Sequence, residues 1–489
     1  MKLRIKLRRI TVLLATLSVM ILSASAQSNL VFYHNHDQFN SSDFNPAFLT
    51  SQQKFTFSIL PLAGMSVGYN NQKAINEMLT KVLLGDTIKN ALKDVFNSLV
   101  KRDLFHQRFE SSLLTLGDHS TIGSFNFRIK EVEQLMSNFK GDFSEFITNP
   151  TFQTLAINQP QTFPANALYY REYSLGYAKE VIKNKLSVGI RAKLYFGKFS
   201  ALSEVQGELV KDDNDAFYMQ TKGTVKLSIP LNIEQNTDSI PIGGTLADDF
   251  TPVNFLMNSK NIGTGIDLGI KYKINPLMSI SVSVVDLGKI NWKNNLNTLY
   301  YKGKYEFPFD YTEAAGADFL TKNPNFSADT TIHVFDLFKA DLAEAAFSTP
   351  LPTTLYAGLQ YQISPKLNLG LVDRYTRVKN LSHNSFSLTA NYDVNKKLSL
   401  ISGYSIHGNS YINLPFAILY KWNSGQTYIG TDNLMSFLVS SLSEFSGISF
   451  GTCFYLFRKN VKYKEPLEYL PFYKRKVKGS IKNLNFGQS

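Results

Sequence analysis

His34 and His36 stand one residue apart near the start of the chain, a spacing that invites a metal ion. No Cys or carboxylate cluster accompanies them to complete a zinc site, so a histidine pair in a loop is the expectation. Asp212, Asp213 and Asp215 offer carboxylate oxygens of the kind that hold calcium, but gathered in one tight turn they read as a solvated loop. His383 and His407 have serines nearby, as a hydrolytic site requires, yet no spacing singles either out. There is no Ser-centred nucleophile elbow and no Gly-rich phosphate loop. Cys453 is the single cysteine, which excludes an internal disulfide and a Cys-based metal site. These patterns predict no enzyme, no metal and no cofactor.

The remaining ionisable residues are placed by strands, and the hairpin from Ala167 to Ser200 sets the rule. In its second arm Leu186, Val188, Ile190, Ala192, Leu194 and Phe196 fall on one face, with Ser187, Gly189, Arg191, Lys193, Tyr195 and Gly197 on the other. The first arm sets Tyr169, Tyr173, Leu175 and Tyr177 against Glu172, Ser174, Gly176 and Ala178. Strand side chains alternate with period two, so each arm has one apolar face and one polar or small face. The alternation outlasts the ~5–6 residues of an ordinary strand and matches the ~9–11 that cross a bilayer. With Lys183-Asn184 as a two-residue turn, Tyr177 pairs with Ile190 and Val181 with Leu186. A transmembrane hairpin follows, apolar to lipid and polar to a lumen. Arg171 falls on the lipid face and belongs near a rim, where a charge costs little.

The same pattern recurs. Ile262, Ile266, Leu268, Ile270 and Tyr272 turn at Asn275-Pro276 into Met278, Ile280, Val282 and Val284, with a slip at Val285-Asp286-Leu287-Gly288 that predicts a bulge. Further turns lie at Ser364-Pro365 and Asn395-Lys396. Parity puts these short turns at the periplasmic end. Helical spacing over about 72–105, 131–147 and 334–346 predicts amphipathic inserts in loops or lumen, and a helical turn is expected around Val253–Met257. The fold class is therefore all-β, a transmembrane antiparallel barrel of about 16 strands (14–18) with helical inserts.

The two ends differ from the middle. Lys2, Arg4, Lys6, Arg8 and Arg9 precede the apolar run Ile10–Leu22 and the small-residue site Ala24-Ser25-Ala26, so residues 1–26 read as an export signal. The barrel spans 27–457, and the tail 458–489 carries nine Lys/Arg against Glu465 and Glu468. Signal and tail account for the whole net charge of +12, which leaves no basic surface for nucleic acid. Leu467, Tyr469, Leu470, Phe472 and Tyr473 sit between the basic clusters, so the tail is expected to dock on the periplasmic mouth, a periplasmic or secretion-system protein, or anionic lipid.

Inward positions of the strands give Glu172, Arg191, Lys193, Asp267, Lys271 and Arg374 as candidate lumen-lining residues. They are either ion pairs that brace a plugged barrel or a path for an amphiphile's polar head. Asn45-Pro46-Ala47, the segment Tyr170–Tyr177 and Gly430-Thr431-Asp432-Asn433-Leu434 resemble an uncharacterised family of Bacteroidota outer-membrane barrels. That family is similar to the long-chain fatty-acid transporter-like superfamily, which includes barrels associated with type IX secretion. The resemblance implies the outer membrane, outer-membrane lipid as surroundings, and passage or capture of a hydrophobic or amphiphilic small molecule. The alternative is an accessory or scaffold barrel for protein secretion or envelope attachment.

Overall fold

The computed structural model describes residues 29–51, 55–70, 105–120, 122–137, 161–211, 217–233, 244–247, 250–306, 340–408, 410–439 and 444–456. The expected signal, the basic tail, the Asp212–Asp215 turn and the insert at 72–104 lie outside them.

Fourteen wall positions close into an antiparallel barrel. The first is β1 (Phe55–Ile59) continued by β2 (Met65–Asn70), followed by β3 (Phe105–Ser120), β4 (Gly123–Ser137), β5 (Gln161–Ile182) and β6 (Leu186–Lys211). The chain then leaves the wall for β7 (Phe217–Ser228), a small ladder of β8 (Leu231–Ile233) and β9 (Gly244–Leu246), and helix α1 (Pro252–Leu256). It returns as β10 (Asn261–Lys273) and β11 (Met278–Trp292), and leaves again for β12 (Leu296–Glu306) and β13 (Ala340–Ala343). Next come β14 (Phe347–Pro350) running into β15 (Thr353–Ser364), β16 (Leu367–Val378), β17 (Leu381–Asp393) and β18 (Leu398–His407). A wall position shared by β19 (Ser410–Asn413) and β20 (Phe416–Trp422), then β21 (Gly425–Thr431), helix α2 (Met435–Leu438) and β22 (Phe445–Leu456), complete the circuit. β22 pairs with β1 and β2, which removes the open edge.

The count of about 16 is corrected to 14 for a physical reason. Leu186–Gly197 of β6 pairs with β10, whereas Ser200–Lys211 pairs with β7, and β7 pairs with β12. Of the two segments expected as wall strands near 201–210 and 216–229, the first is thus a continuation of β6, and the second is β7 of a side sheet shared with β12, the strand expected near 299–307 within the outer insert. At ~3.3 Å per residue, the 26 residues of β6 run roughly 85 Å, far beyond the ~25 Å apolar band of a bilayer. Alternation alone does not tell a strand in lipid from one standing clear of it.

Two helical expectations are also corrected where they are described. Glu131–Ser137 continues β4, paired with β3 and β5, and Ala340–Ala343 is β13. Above the bilayer nothing demands apolar outward residues, so strand pairing persists while alternation fades and mimics helical spacing. The helical turn at 253–257 is present as α1, N-capped by the Thr251 hydroxyl accepting from the Asn254 N–H.

The short turns after β3, β5, β10, β15, β17 and β20 all lie at one end, as alternation of direction requires. Tyr177 pairs with Ile190 as expected, but Ile182 rather than Val181 faces Leu186. The turn takes three residues with Asn184 at φ 55°, a left-handed position that Asn tolerates. Leu175, Ile190, Leu194, Leu268, Ile270, Val282, Leu388 and Phe450 are exposed on the outer face. A closed barrel wrapped in such residues is solvated by lipid. Arg171 meets Glu131 across the β4–β5 ladder at 2.5 Å, and its guanidinium also touches the Met257 sulfur just beyond α1 at 3.6 Å.

Candidate functional site

The lumen is filled by the N-terminal segment 29–51, which carries three short 3-10 turns, Leu30–Phe32, Ser41–Asp43 and Pro46–Ser51. On one side Leu30, Phe32, Tyr33, Phe39, Phe44 and Phe48 pack against Tyr356, Val372, Ile401, Leu419 and Tyr428 of the wall. On the other, polar contacts fix it. The Val31 N–H donates to Asp432 Oδ1 at 2.8 Å, Asn45 Nδ2 donates to the carbonyls of Ile270 and Val282 at 3.1 and 3.2 Å, and Thr50 Oγ1 donates to Ser187 Oγ at 3.1 Å. Two glycines let the wall approach it. A Cβ on Gly189 would strike the backbone of Pro46 and Ala47, and one on Gly269 the Asn45 carboxamide. Between plug and β2 remains a cavity of about 20 Å³, room for roughly one water.

At the plug's acidic turn the wall supplies a buried charge network. Asp43 meets Arg128, Lys130 at 2.8 Å and Arg191 at 3.4 Å. Lys193 meets Asp267 at 3.0 Å, Asp286 at 2.6 Å and Glu172 at 3.4 Å, while Arg191 reaches Asp267 at 3.4 Å. Arg108 bridges Glu110 at 2.6 Å and Asp286 at 3.0 Å, and Lys130 reaches Glu110 at 3.5 Å. Arg108, Arg128, Lys130, Arg191 and Lys193 thereby face Asp43, Glu110, Glu172, Asp267 and Asp286, so the described network is neutral. Burial alone pushes the Asp43 carboxyl up, but the three cations around it outweigh burial and hold it below the usual carboxylate range.

The expected bulge is central to this network. Between β10 and β11 the register slips opposite Ile266–Leu268, and Asp286 adopts φ 60°. Its N–H donates to Asp267 Oδ1 at 2.8 Å, and its side chain turns inward to Lys193 and Arg108. A regular strand would not aim it so.

Of the six residues proposed from sequence, the fold brings Glu172, Arg191, Lys193 and Asp267 together. Lys271 lies apart, its Nζ 2.7 Å from His36 Nδ1. Arg374 is buried in the field of Asp432 and Glu110, beside the histidines 106, 383 and 407. The rings of His106 and His383 lie 5.1 Å apart, and His383 and His407 each hydrogen-bond a serine two residues away at 3.0 Å. His34 and His36 belong to the plug, with His34 Nε2 2.9 Å from the Leu371 carbonyl; burial lowers the His34 pKa to about 4. Among the described residues no group of three His, Cys, Asp or Glu is placed to hold a metal ion. Sequence reasoning missed Asp43, Arg108, Glu110, Arg128 and Lys130, and read Asp286 only as part of a bulge. The wall four alternate inward with Ser112 and Asn126, a signal present but interrupted by the bulge after Ser112.

Fold and lumen define a lipid-solvated 14-stranded β-barrel closed by its own N-terminal segment. The chain belongs to a family of unknown function, DUF5723, whose model matches residues 46–432. No curated protein matches it. Among solved structures it is similar to the toluene transporter TodX of Pseudomonas putida, at 11% identity and TM-score 0.38, covering 86% of this chain and 95% of that one. It is similar also to the Ralstonia pickettii toluene transporter TbuX, at 11% identity and TM-score 0.38 with 86% and 95% coverage. A Pseudomonas aeruginosa FadL homologue gives 12% identity and TM-score 0.38, with 86% and 94% coverage. At these levels the functional reading rests on the chain's own geometry.

Proposed function

We propose that this protein is an outer-membrane barrel that passes or captures a hydrophobic or amphiphilic small molecule, with the 29–51 segment as its gate. One observation carries the reading. A 14-stranded wall encloses more space than side chains alone fill, and what occupies it is a segment with no strand pairing to the wall. Side-chain contacts and one ion-pair cluster hold that segment, so its displacement opens the lumen while every wall strand stays paired. A second reading, a non-transporting scaffold for secretion or envelope attachment, draws on the same neutral network, which braces a permanently closed barrel equally well.

The experiment is a reversible tether. Thr50 Oγ1 lies 3.1 Å from Ser187 Oγ, each one bond from its Cβ, so Thr50→Cys with Ser187→Cys is placed to lock plug to wall under oxidation. In cells that depend on this barrel, the oxidised variant takes up radiolabelled decanoate several-fold more slowly than wild type, and reductant restores the rate. Uptake that is indifferent to the tether and to deletion of the gene refutes passage and leaves the scaffold.

A further inference from the structure

The hairpin joining β16 to β17 turns at Lys379-Asn380, at the end of the barrel opposite the turns after β15 and β17. Its tip meets strands on the far side of the lumen. Counted around the wall, β17 holds the tenth of fourteen positions, β3 the second, β4 the third and β6 the fifth. Val378 and Leu381 nevertheless pack with Met136 of β4, and the ring of His383 lies 5.1 Å from that of His106 on β3. Lys379 Nζ reaches Glu204 of β6 at 2.6 Å. The mouth of the lumen is therefore bridged by side chains from opposite walls.

Both sides are shaped for this contact. β6 parts from β10 at Gly197, where Lys198 is an extra residue opposite Tyr169–Tyr170, and such a bulge bends the ribbon. Beyond it a register row, Met136–Asn166–Leu202, crosses β4, β5 and β6, and all three residues are buried. On the hairpin, Lys379 sits at φ 49°, a left-handed conformation that Gly or Asn adopts more readily than Lys. Arg377 Nε donates to the Lys379 carbonyl at 3.1 Å and steadies the turn. A lysine at that position gives the tip the cation that pairs with Glu204.

The closure is weak by construction. Among the described residues no backbone hydrogen bond joins the tip to β3, β4 or β6. The Lys379 and Glu204 side chains are 33% and 45% exposed, and such a pair is worth at most about fivefold in an equilibrium. Between Leu202 and the tip remains a cavity of about 210 Å³, so the apolar contact is incompletely packed.

We infer that the β16–β17 tip is a lid over this mouth, closed on the Met136–Asn166–Leu202 row and latched by Lys379–Glu204, in series with the 29–51 plug. Its purpose rests on the proposed passage, which it deepens by setting when the lumen can be entered. Its movement is measured without passage. Parting it breaks side-chain contacts alone and leaves every wall strand paired.

Nitroxides at Asn380→Cys on the tip and Lys302→Cys on β12, both exposed, report the distance across the closure, with Cys453→Ser removing the native thiol. Pulsed dipolar resonance on the barrel in nanodiscs shows one main short distance at low salt. Raising salt to about 1 M screens the latch and increases the ratio of long to short distances by up to about fivefold. Glu204→Lys sets like charges face to face and raises that ratio about tenfold, and Lys379→Glu combined with Glu204→Lys restores the short distance. Leu381→Asp places a carboxylate against Met136 and opens the tip in most molecules. Heat-modifiable gel migration confirms that each variant is folded. A distance that stays fixed through high salt, Glu204→Lys and Leu381→Asp overturns the inference, because the tip is then a rigid part of the wall. A distance that responds, while the tethered plug leaves uptake unchanged, keeps the lid and removes passage.

Discussion

Replacing Asp43 by Ala removes the plug's one carboxylate from the buried network. The described cations Arg108, Arg128, Lys130, Arg191 and Lys193 then face only Glu110, Glu172, Asp267 and Asp286, and one positive charge is left uncompensated. Arg128 and Arg191 are fully buried, so water cannot reach them without local opening. Deleting one partner of a buried pair costs about 3–5 kcal/mol. Here most of that cost falls on the seated state, because displacing the plug lets water into the lumen to solvate the cations. At about 1.4 kcal/mol per tenfold, the seating equilibrium shifts toward the open state by about a hundred- to a thousandfold or more. Single-channel recording in planar bilayers reads this as openings that are rare in wild type and frequent in the variant. Hydrogen exchange of peptides spanning 29–51 rises in parallel, while wall strands stay protected. Adding Arg128→Met, which removes the stranded cation, restores much of the closure, since an apolar replacement of a buried pair is often neutral. Unchanged conductance and unchanged exchange in Asp43→Ala would mean that the network does not hold the plug, and the gating argument fails.

Gly189→Val drives a side chain into the Pro46–Ala47 backbone, which cannot rotate away as a side chain can; overpacking of about 1–3 kcal/mol should expose the plug to protease while heat-modifiable migration of the barrel persists. Acid should unseat the plug through His34. Its folded pKa of about 4 lies below the ordinary 6.5, so the displaced segment binds more protons and seating weakens as pH falls from 6.5 toward 4, by about 3 kcal/mol in all. Asp43, held low when seated, adds to the loss only at still lower pH, as its carboxylate protonates. Burial holds the His36 pKa well below its usual value too, so it adds to the loss. Exchange of the 29–51 peptides, corrected for intrinsic rates, measures this at pH 7.5 and 5; His34→Gln should make the response shallower and His34→Gln with His36→Gln should flatten it, and an equally steep response in the double variant refutes the assignment.

Much of the fold was written in the sequence because lipid enforces it. A strand that crosses a bilayer must present apolar residues at nearly every second position, and the arms around Lys183-Asn184 and Asn275-Pro276 do so, with Thr264 and the rim residue Arg171 as departures. The slip at Val285–Gly288 was legible for the same reason, since one extra residue inverts the faces. All six inward ionisable residues were read from that alternation, and four of them, Glu172, Arg191, Lys193 and Asp267, meet in the buried network. What the sequence left open lies where lipid makes no demand. Ser200–Lys211 alternates like a wall strand but pairs in a side sheet, and Glu131–Ser137 loses its alternation yet remains strand. The plug carries no period at all: Leu30 to Ser51 reads as an irregular polar lead, and its buried aromatics become a core only once the barrel closes around them. Which carboxylates meet which cations is likewise fixed by barrel closure. Asp43 and Arg191 are 148 residues apart in the chain, and no local pattern encodes a contact that exists only across a lumen.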